Sequence, residues 1–294
     1  MKFRLLPWLA TATFGAAGLL YAAASLRFAY AMTHPPRERI TDADRQRARR
    51  ILPNMVDISF KAADNVVLRG WYVPPRNGIV IVFVPGLASN RTGLMPEAEL
   101  LAHLGYGAVL FDPRAHGESD GRVATWGWLE SDDTKRAVAF VKERPEVQRV
   151  VLLGFSVGAS TAALAAADNP QVDAVILYAV WTSLEEEIRD KTKHRGPPAA
   201  VLARWGYEWF GADVLRVRPI DLVARISPRP LLMVAGTSDE DTPLPIMRRV
   251  FAAAREPKEL WVVPGLGHGR HVARNPESYA KHVGGFLRRA FGAR

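Results

Sequence analysis

Residues 150–158 read Val-Val-Leu-Leu-Gly-Phe-Ser-Val-Gly and run straight into Ala159-Ser-Thr-Ala-Ala-Leu164. The apolar, β-branched run predicts a strand, and the alanine-rich stretch predicts a helix. No linker separates them, so the chain must reverse within a few residues at Ser156. A turn that sharp strains the backbone of the residue at its tip, and side chains at Gly154 and Gly158 would meet the neighbouring strand and helix. The serine hydroxyl is left exposed above the end of a sheet strand. A dinucleotide-binding turn, G-x-G-x-x-G, is excluded because Ser156 stands where a glycine is required.

An exposed serine is a weak nucleophile until a base takes its proton and an acid orients that base. Two later apolar runs supply these residue types. Pro230-Leu-Leu-Met-Val-Ala-Gly236 opens into Thr237-Ser-Asp239-Glu-Asp-Thr-Pro243, and Glu259-Leu-Trp-Val-Val-Pro264 opens into Gly265-Leu-Gly-His268-Gly269. The order is serine, acid, histidine, each on a loop just past a strand. Further strands are predicted at 79–84, 107–112, 149–153, 173–180, 230–235 and 259–263, with helices near 95–103, 130–143, 157–168, 244–254 and 276–290. Met55 to Phe60 and Asn65 to Val73 predict an antiparallel hairpin. Alternation of this kind implies a mostly parallel sheet with helices on both faces.

These residues resemble those of the α/β-hydrolase family over roughly positions 54–292. The resemblance is carried by Gly154-Phe-Ser-Val-Gly158, Gly236-Thr-Ser-Asp239, Gly267-His268-Gly269 and Phe111-Asp-Pro-Arg-Ala-His-Gly-Glu-Ser-Asp-Gly121. The last is similar to the D-x-R-x-H-G-x-S-x-G loop of exported or membrane-anchored bacterial members related to serine aminopeptidases and acyl esterases. The resemblance implies a serine hydrolase with Ser156 as nucleophile, His268 as base and Asp239 as its orienting acid. It also implies an oxyanion hole from the backbone N–H groups of Leu87 and Val157, with neither cofactor nor metal. Pro85-Gly86 stands where many relatives carry His-Gly, which weakens that part of the match without deleting a donor.

Neighbouring residues carry simpler readings. Glu240 and Asp241 can cap the helix that begins near Pro243, and His271 reads as a solvated residue one turn past His268. Asp112, Arg114, His116 and Ser119 read as groups bracing one another across a tight turn. Between the strand ending at Trp181 and the one starting at Pro230 lies a cap insertion, 182–229, with an aromatic group Trp205, Tyr207, Trp209 and Phe210. These rings either wall an acyl pocket or glue the cap to the body.

Between Arg4 and Arg27 lie 22 residues without a charge, Leu5 to Leu26. At about 1.5 Å per residue such a helix can cross a hydrocarbon core of about 30 Å. A cleaved signal peptide is the alternative, but the apolar run exceeds the usual core of about 7 to 15 residues, so an uncleaved N-terminal transmembrane helix is expected. Of the net charge of +9, six charges fall in residues 1–50. That distribution points to anionic headgroups or a solvated linker helix, and no nucleic-acid motif accompanies it. The chain has no cysteine, which excludes disulfides and a thiolate nucleophile.

The expected organisation is a membrane anchor at 1–31, a basic linker at 32–53, and a hydrolase domain at 54–294. Positive charges flank the apolar run on both sides, and resemblance to exported hydrolases places the domain outside the inner membrane of a single-pass protein. The expected substrate is a small acyl ester, thioester or amide, with short to medium esters preferred. Peptidase, acyltransferase and a catalytically silent binding module remain open on the same fold, and the sequence leaves the oligomeric state open.

Overall fold

The computed structural model describes residues 6–269 and 271–292, with side chains of the first helix described from Gly15 onward. In chain order the elements are α1 (Leu6–Thr33), α2 (Asp42–Ile51), β1 (Val56–Lys61), β2 (Val67–Val73), β3 (Ile79–Val84), α3 (Met95–His103) and β4 (Gly107–Phe111). There follow α4 (Trp128–Lys142), β5 (Arg149–Phe155), α5 (Val157–Ala167), β6 (Ala174–Tyr178), α6 (Leu184–Thr192), α7 (Pro197–Trp209) and α8 (Pro219–Leu222). Last come β7 (Leu231–Gly236), α9 (Leu244–Ala253), β8 (Lys258–Val263), α10 (His271–Arg274) and α11 (Pro276–Phe291).

The strands form one eight-stranded sheet in the order β1-β2-β4-β3-β5-β6-β7-β8. Only β2 runs against its neighbours. The continuous apolar strands are explained by cover on both faces. On β3, Val80, Val82 and Val84 face the core under α4 and α5, while Ile81 and Phe83 face the one under α3 and α11. On β5, Val150 and Leu152 divide from Val151 and Leu153 in the same way. From β3 the chain crosses to β4 on one side and then to β5 on the other. The switch point lies at the carboxyl ends of β3 and β5, where ligands bind in open α/β sheets.

The N-terminal segment departs from expectation. Among the described residues no helix is long and apolar enough to cross a membrane, so the transmembrane helix expected from Leu5 to Leu26 is not found among them. The start of that run, through Phe14, lies outside the described side chains. Further along, one face of α1 meets the cap. Ser25, Ala29 and Thr33 recur every fourth residue, are buried, and form a stripe of small side chains. Opposite them Gly206 of α7 comes so close that a Cβ there would lie 2.5 Å from that of Ala29. Tyr21 donates to the Arg195 carbonyl at 2.6 Å. Ala124 N–H and Trp126 Nε1–H donate to the carbonyls of Thr33 (2.8 Å) and Met32 (2.9 Å). One face of this half of α1 is therefore packed against protein, while Leu19 and Leu20 on the helix remain exposed.

α2 begins with a capping box in which Thr41 and Asp44 satisfy each other's backbone N–H groups. Its arginines do not all face solvent, since Arg45 pairs with Glu118 and Asp57.

Candidate active site

Ser156 occupies the turn between β5 and α5 with φ 55° and ψ −120°, a conformation non-glycine residues rarely hold. Its N–H donates to the Tyr178 carbonyl at 2.9 Å, tying the turn to β6. A Cβ on Gly154 would lie 2.2 Å from the Gly158 carbonyl oxygen, and one on Gly158 would lie 2.1 Å from that of Val84. Both glycines are therefore required by backbone contact with α5 and with the end of β3.

Asp239 follows β7 and is buried. Its Oδ1 accepts from Thr242 N–H at 2.8 Å, and its two oxygens lie 3.0 and 2.9 Å from His268 Nδ1. A carboxylate can only accept, so Nδ1 carries the hydrogen and Nε2 is left with a free lone pair. The histidine loop is fastened to the end of β7. Ser238 N–H donates to the Leu266 carbonyl at 2.9 Å, and Gly265 N–H to Thr237 Oγ1 at 2.7 Å. His268 packs on Phe155, the residue before the serine, with ring centroids 4.8 Å apart. No hydrogen bond joins Ser156 Oγ to His268 among the described residues; in unliganded hydrolytic sites this contact commonly tightens only when substrate arrives.

Asp241 is exposed beside this pair, and Asp239, Asp241 and His268 offer ligand atoms within 4.8 Å of one another. A cation there would displace the Nδ1 hydrogen that Asp239 already holds, so the observed geometry favours the hydrogen-bonded pair.

Leu87 and Val157 border the same small crevice, together with His116, Trp126 and Thr161. Among the described residues, no hydrogen bond uses the N–H of either. Those two donors are free at the mouth of the switch point, as an oxyanion site requires.

Two groups were not legible as they stand. His271, expected at the solvated surface, is buried, because α10 turns it inward against Tyr178 at a centroid distance of 4.3 Å. Burial first, and then the neighbouring His268, hold its pKa down at about 4, so it is neutral behind the site. Glu97, in the first turn of α3, reads in sequence as an ordinary helix-dipole acid. It is buried instead, and burial raises its pKa to about 7 against the pull of its own N–H and that of Val272.

Both shifts predict a pH dependence of stability. Between its ordinary 4.5 and about 7, Glu97 keeps a proton in the folded state that the unfolded chain releases. That contribution is full at low pH and lost as pH rises. His271 acts oppositely, its contribution being full above 6.5 and lost as pH falls toward about 4. Glu97→Gln is therefore expected to stabilise the protein at pH 8 by up to about 3 kcal/mol and to change little at pH 5. Urea unfolding of both proteins at the two pH values reads this directly, and an equal difference at both would contradict it.

The cap aromatics do not act as one cluster. Tyr207 is fully buried and packs edge-on to Trp126 at 5.6 Å, whereas Trp205 and Trp209 are 60% and 85% exposed. Phe210 packs instead on Tyr30 and His34.

Residues 79–216 match the family described as alpha/beta hydrolase fold. The uncharacterized protein YfhR of Salmonella typhimurium is 31% identical over 224 residues, 72% of this chain and 73% of the relative. The polyketide transferase GrgF of a Penicillium species is 26% identical over 281 residues, covering 79% and 96%. The Pyrococcus furiosus esterase Pf2001 superposes with a TM-score of 0.73 at 24% identity, over 88% of this chain and 98% of its own, and so shares the fold.

Proposed function

The chain belongs to the α/β-hydrolase family, and from that premise we propose that it is a serine esterase acting on short to medium acyl groups through an acyl-enzyme on Ser156. The observation that carries the reading is the buried Asp239 holding Nδ1 of His268 beside the strained Ser156 turn. Ser156 Oγ attacks the ester carbonyl while His268 Nε2 takes its proton. The oxygen turns negative and is met by the N–H groups of Leu87 and Val157. His268 then returns the proton to the leaving alcohol as the carbon–oxygen bond breaks. Water, deprotonated by the same nitrogen, releases the acid and restores the serine. Asp239 keeps the imidazole in the right tautomer and stabilises its cation.

Ester rather than amide chemistry is taken by analogy with the Pyrococcus esterase, whose fold this chain shares. Chain length follows from the crevice under the oxyanion donors. Its cavity volume is about 10 Å³, room for about one water and far below the roughly 300–1,000 Å³ of ordinary ligand pockets, so a long acyl chain finds no preformed space there. Buried Trp126 limits its depth. With p-nitrophenyl esters, kcat/KM is expected to peak between acetate and hexanoate and to fall about tenfold or more by dodecanoate, since each misfit methylene costs about 1–3 kcal/mol of discrimination. A steady rise with chain length would overturn the substrate reading. The polyketide transferase relative makes an alcohol acceptor the natural competitor of water; transesterified product exceeding free acid at millimolar alcohol would make transfer the reaction.

A further inference from the structure

We propose that His116 is a positioning residue that aims the Leu87 N–H at the developing oxyanion; this rests on the serine-hydrolase reading above. The loop after β3 carries the donor at Leu87, and the next residue, Ala88, has a positive φ of 60°. A short loop in that conformation needs an external hold if its free N–H is to keep one direction. His116 supplies it. Ala88 N–H donates to His116 Nε2 at 3.1 Å, one peptide unit from the oxyanion donor.

The tautomer follows from these contacts. Nε2 accepts, so the ring hydrogen resides on Nδ1, which donates to the Arg114 carbonyl at 2.8 Å. The imidazole is thus a rigid bridge between two backbone segments, and it is buried. Its far end is fixed in turn. Arg114 holds buried Asp133 through two hydrogen bonds of 2.8 and 2.6 Å and reaches Asp64 at 2.9 Å. The carbonyl that receives Nδ1–H therefore belongs to a residue whose side chain cannot drift.

A second hold lies three residues on. Arg91 N–H donates to Asp112 Oδ1 at 2.7 Å, and its guanidinium reaches Oδ2 at 2.6 Å, in a pair almost wholly buried. Asp112 also accepts from Glu118 N–H at 2.8 Å. Gly117 has φ +45°, and a Cβ there would lie 2.3 Å from the Asp112 carboxylate, so the turn closes on that group. The segment from Asp112 to Ser119 grips the oxyanion loop at Ala88 and Arg91, and Leu87 is the residue just before the first grip. His116, Leu87 and Val157 border one crevice.

The role is separable from mere packing. His116→Phe fills similar space without an acceptor, and His116→Gln returns an acceptor oxygen near the Nε2 position. In the full chain, Phe is expected to lower kcat about 10- to 100-fold with KM within about twofold, somewhat less than outright loss of an oxyanion donor. Gln is expected to recover most of the loss. An alkylboronic acid, which forms a tetrahedral adduct on the serine, should bind His116→Phe more weakly by about the same factor as kcat falls. Wild-type kcat and boronate affinity in the Phe variant, with wild-type labelling of Ser156 by a fluorophosphonate, would overturn the proposal alone. Phe and Gln variants equally impaired in kcat would also overturn it, because a shared loss reports packing. Absence of wild-type labelling would overturn the hydrolase reading and this one with it.

Discussion

Replacing Ser156 by alanine is expected to abolish fluorophosphonate labelling and to lower ester turnover by about 10⁴-fold or more, the scale on which hydrolytic triads lose activity when one member is removed. The expectation comes from the turn itself. Ser156 sits at φ 55° with glycines on both sides that admit no Cβ, a strained arrangement that serves to present one hydroxyl. His268→Ala is expected to fall as far, since no other described histidine has a ring nitrogen held by a carboxylate at this edge. Asp239→Asn should cost about 10³- to 10⁴-fold, because an amide can offer Nδ1 a hydrogen and so favour the wrong tautomer. Asp241→Asn, at an exposed neighbour, should retain most activity. Labelling that persists in the alanine variant at 156 would remove the serine assignment, and equal losses at 239 and 241 would remove that of the acid.

The parts of this site that sequence reveals are those whose constraint is local. Strain at a strand-to-helix turn needs glycine at positions 154 and 158, and a loop past a strand end is legible from the change of period. Ser156, Asp239 and His268 fall where these signals place them, and the latter two meet. The strands from 79 to 263 agree to within two residues, because continuous apolar runs report cover on both faces. Burial of a single polar group is not local. Nothing near Glu97 or His271 distinguishes them from surface residues, since what buries them, Tyr178 among others, comes from distant sequence. The pairing of Arg91 with Asp112 spans two loops and leaves no spacing to read. On α1 hydropathy alone does not separate an apolar helix packed on protein from one in lipid, because the two have the same composition. What the fourfold spacing of Ser25, Ala29 and Thr33 does report is one face in close approach to another helix.

A chain beginning at Arg37 is expected to unfold roughly 10–20 °C below one beginning at Gly15, taking about 5 kcal/mol of lost stability and 2–4 °C per kcal/mol for a protein of this size. The loss arises under the cap. Ala29 shares one hydrophobic cluster with Trp126, Trp181, Leu184, Ala203 and Tyr207, and all six side chains are buried. Stripping α1 away re-exposes side chains of this cluster, and two to three apolar side chains at about 1.5–3 kcal/mol each amount to about 5 kcal/mol. It also removes the carbonyls that receive Ala124 N–H and Trp126 Nε1–H, leaving two donors to find water. Trp126 borders the crevice that holds Leu87 and Val157, so activity is expected to fall along with stability. In the full chain, Ala29→Asp tests the same contact by burying a carboxylate without a partner, and a comparable drop in midpoint is expected. Equal midpoints for the two truncated chains would mean that α1 rests on the cap without stabilising it.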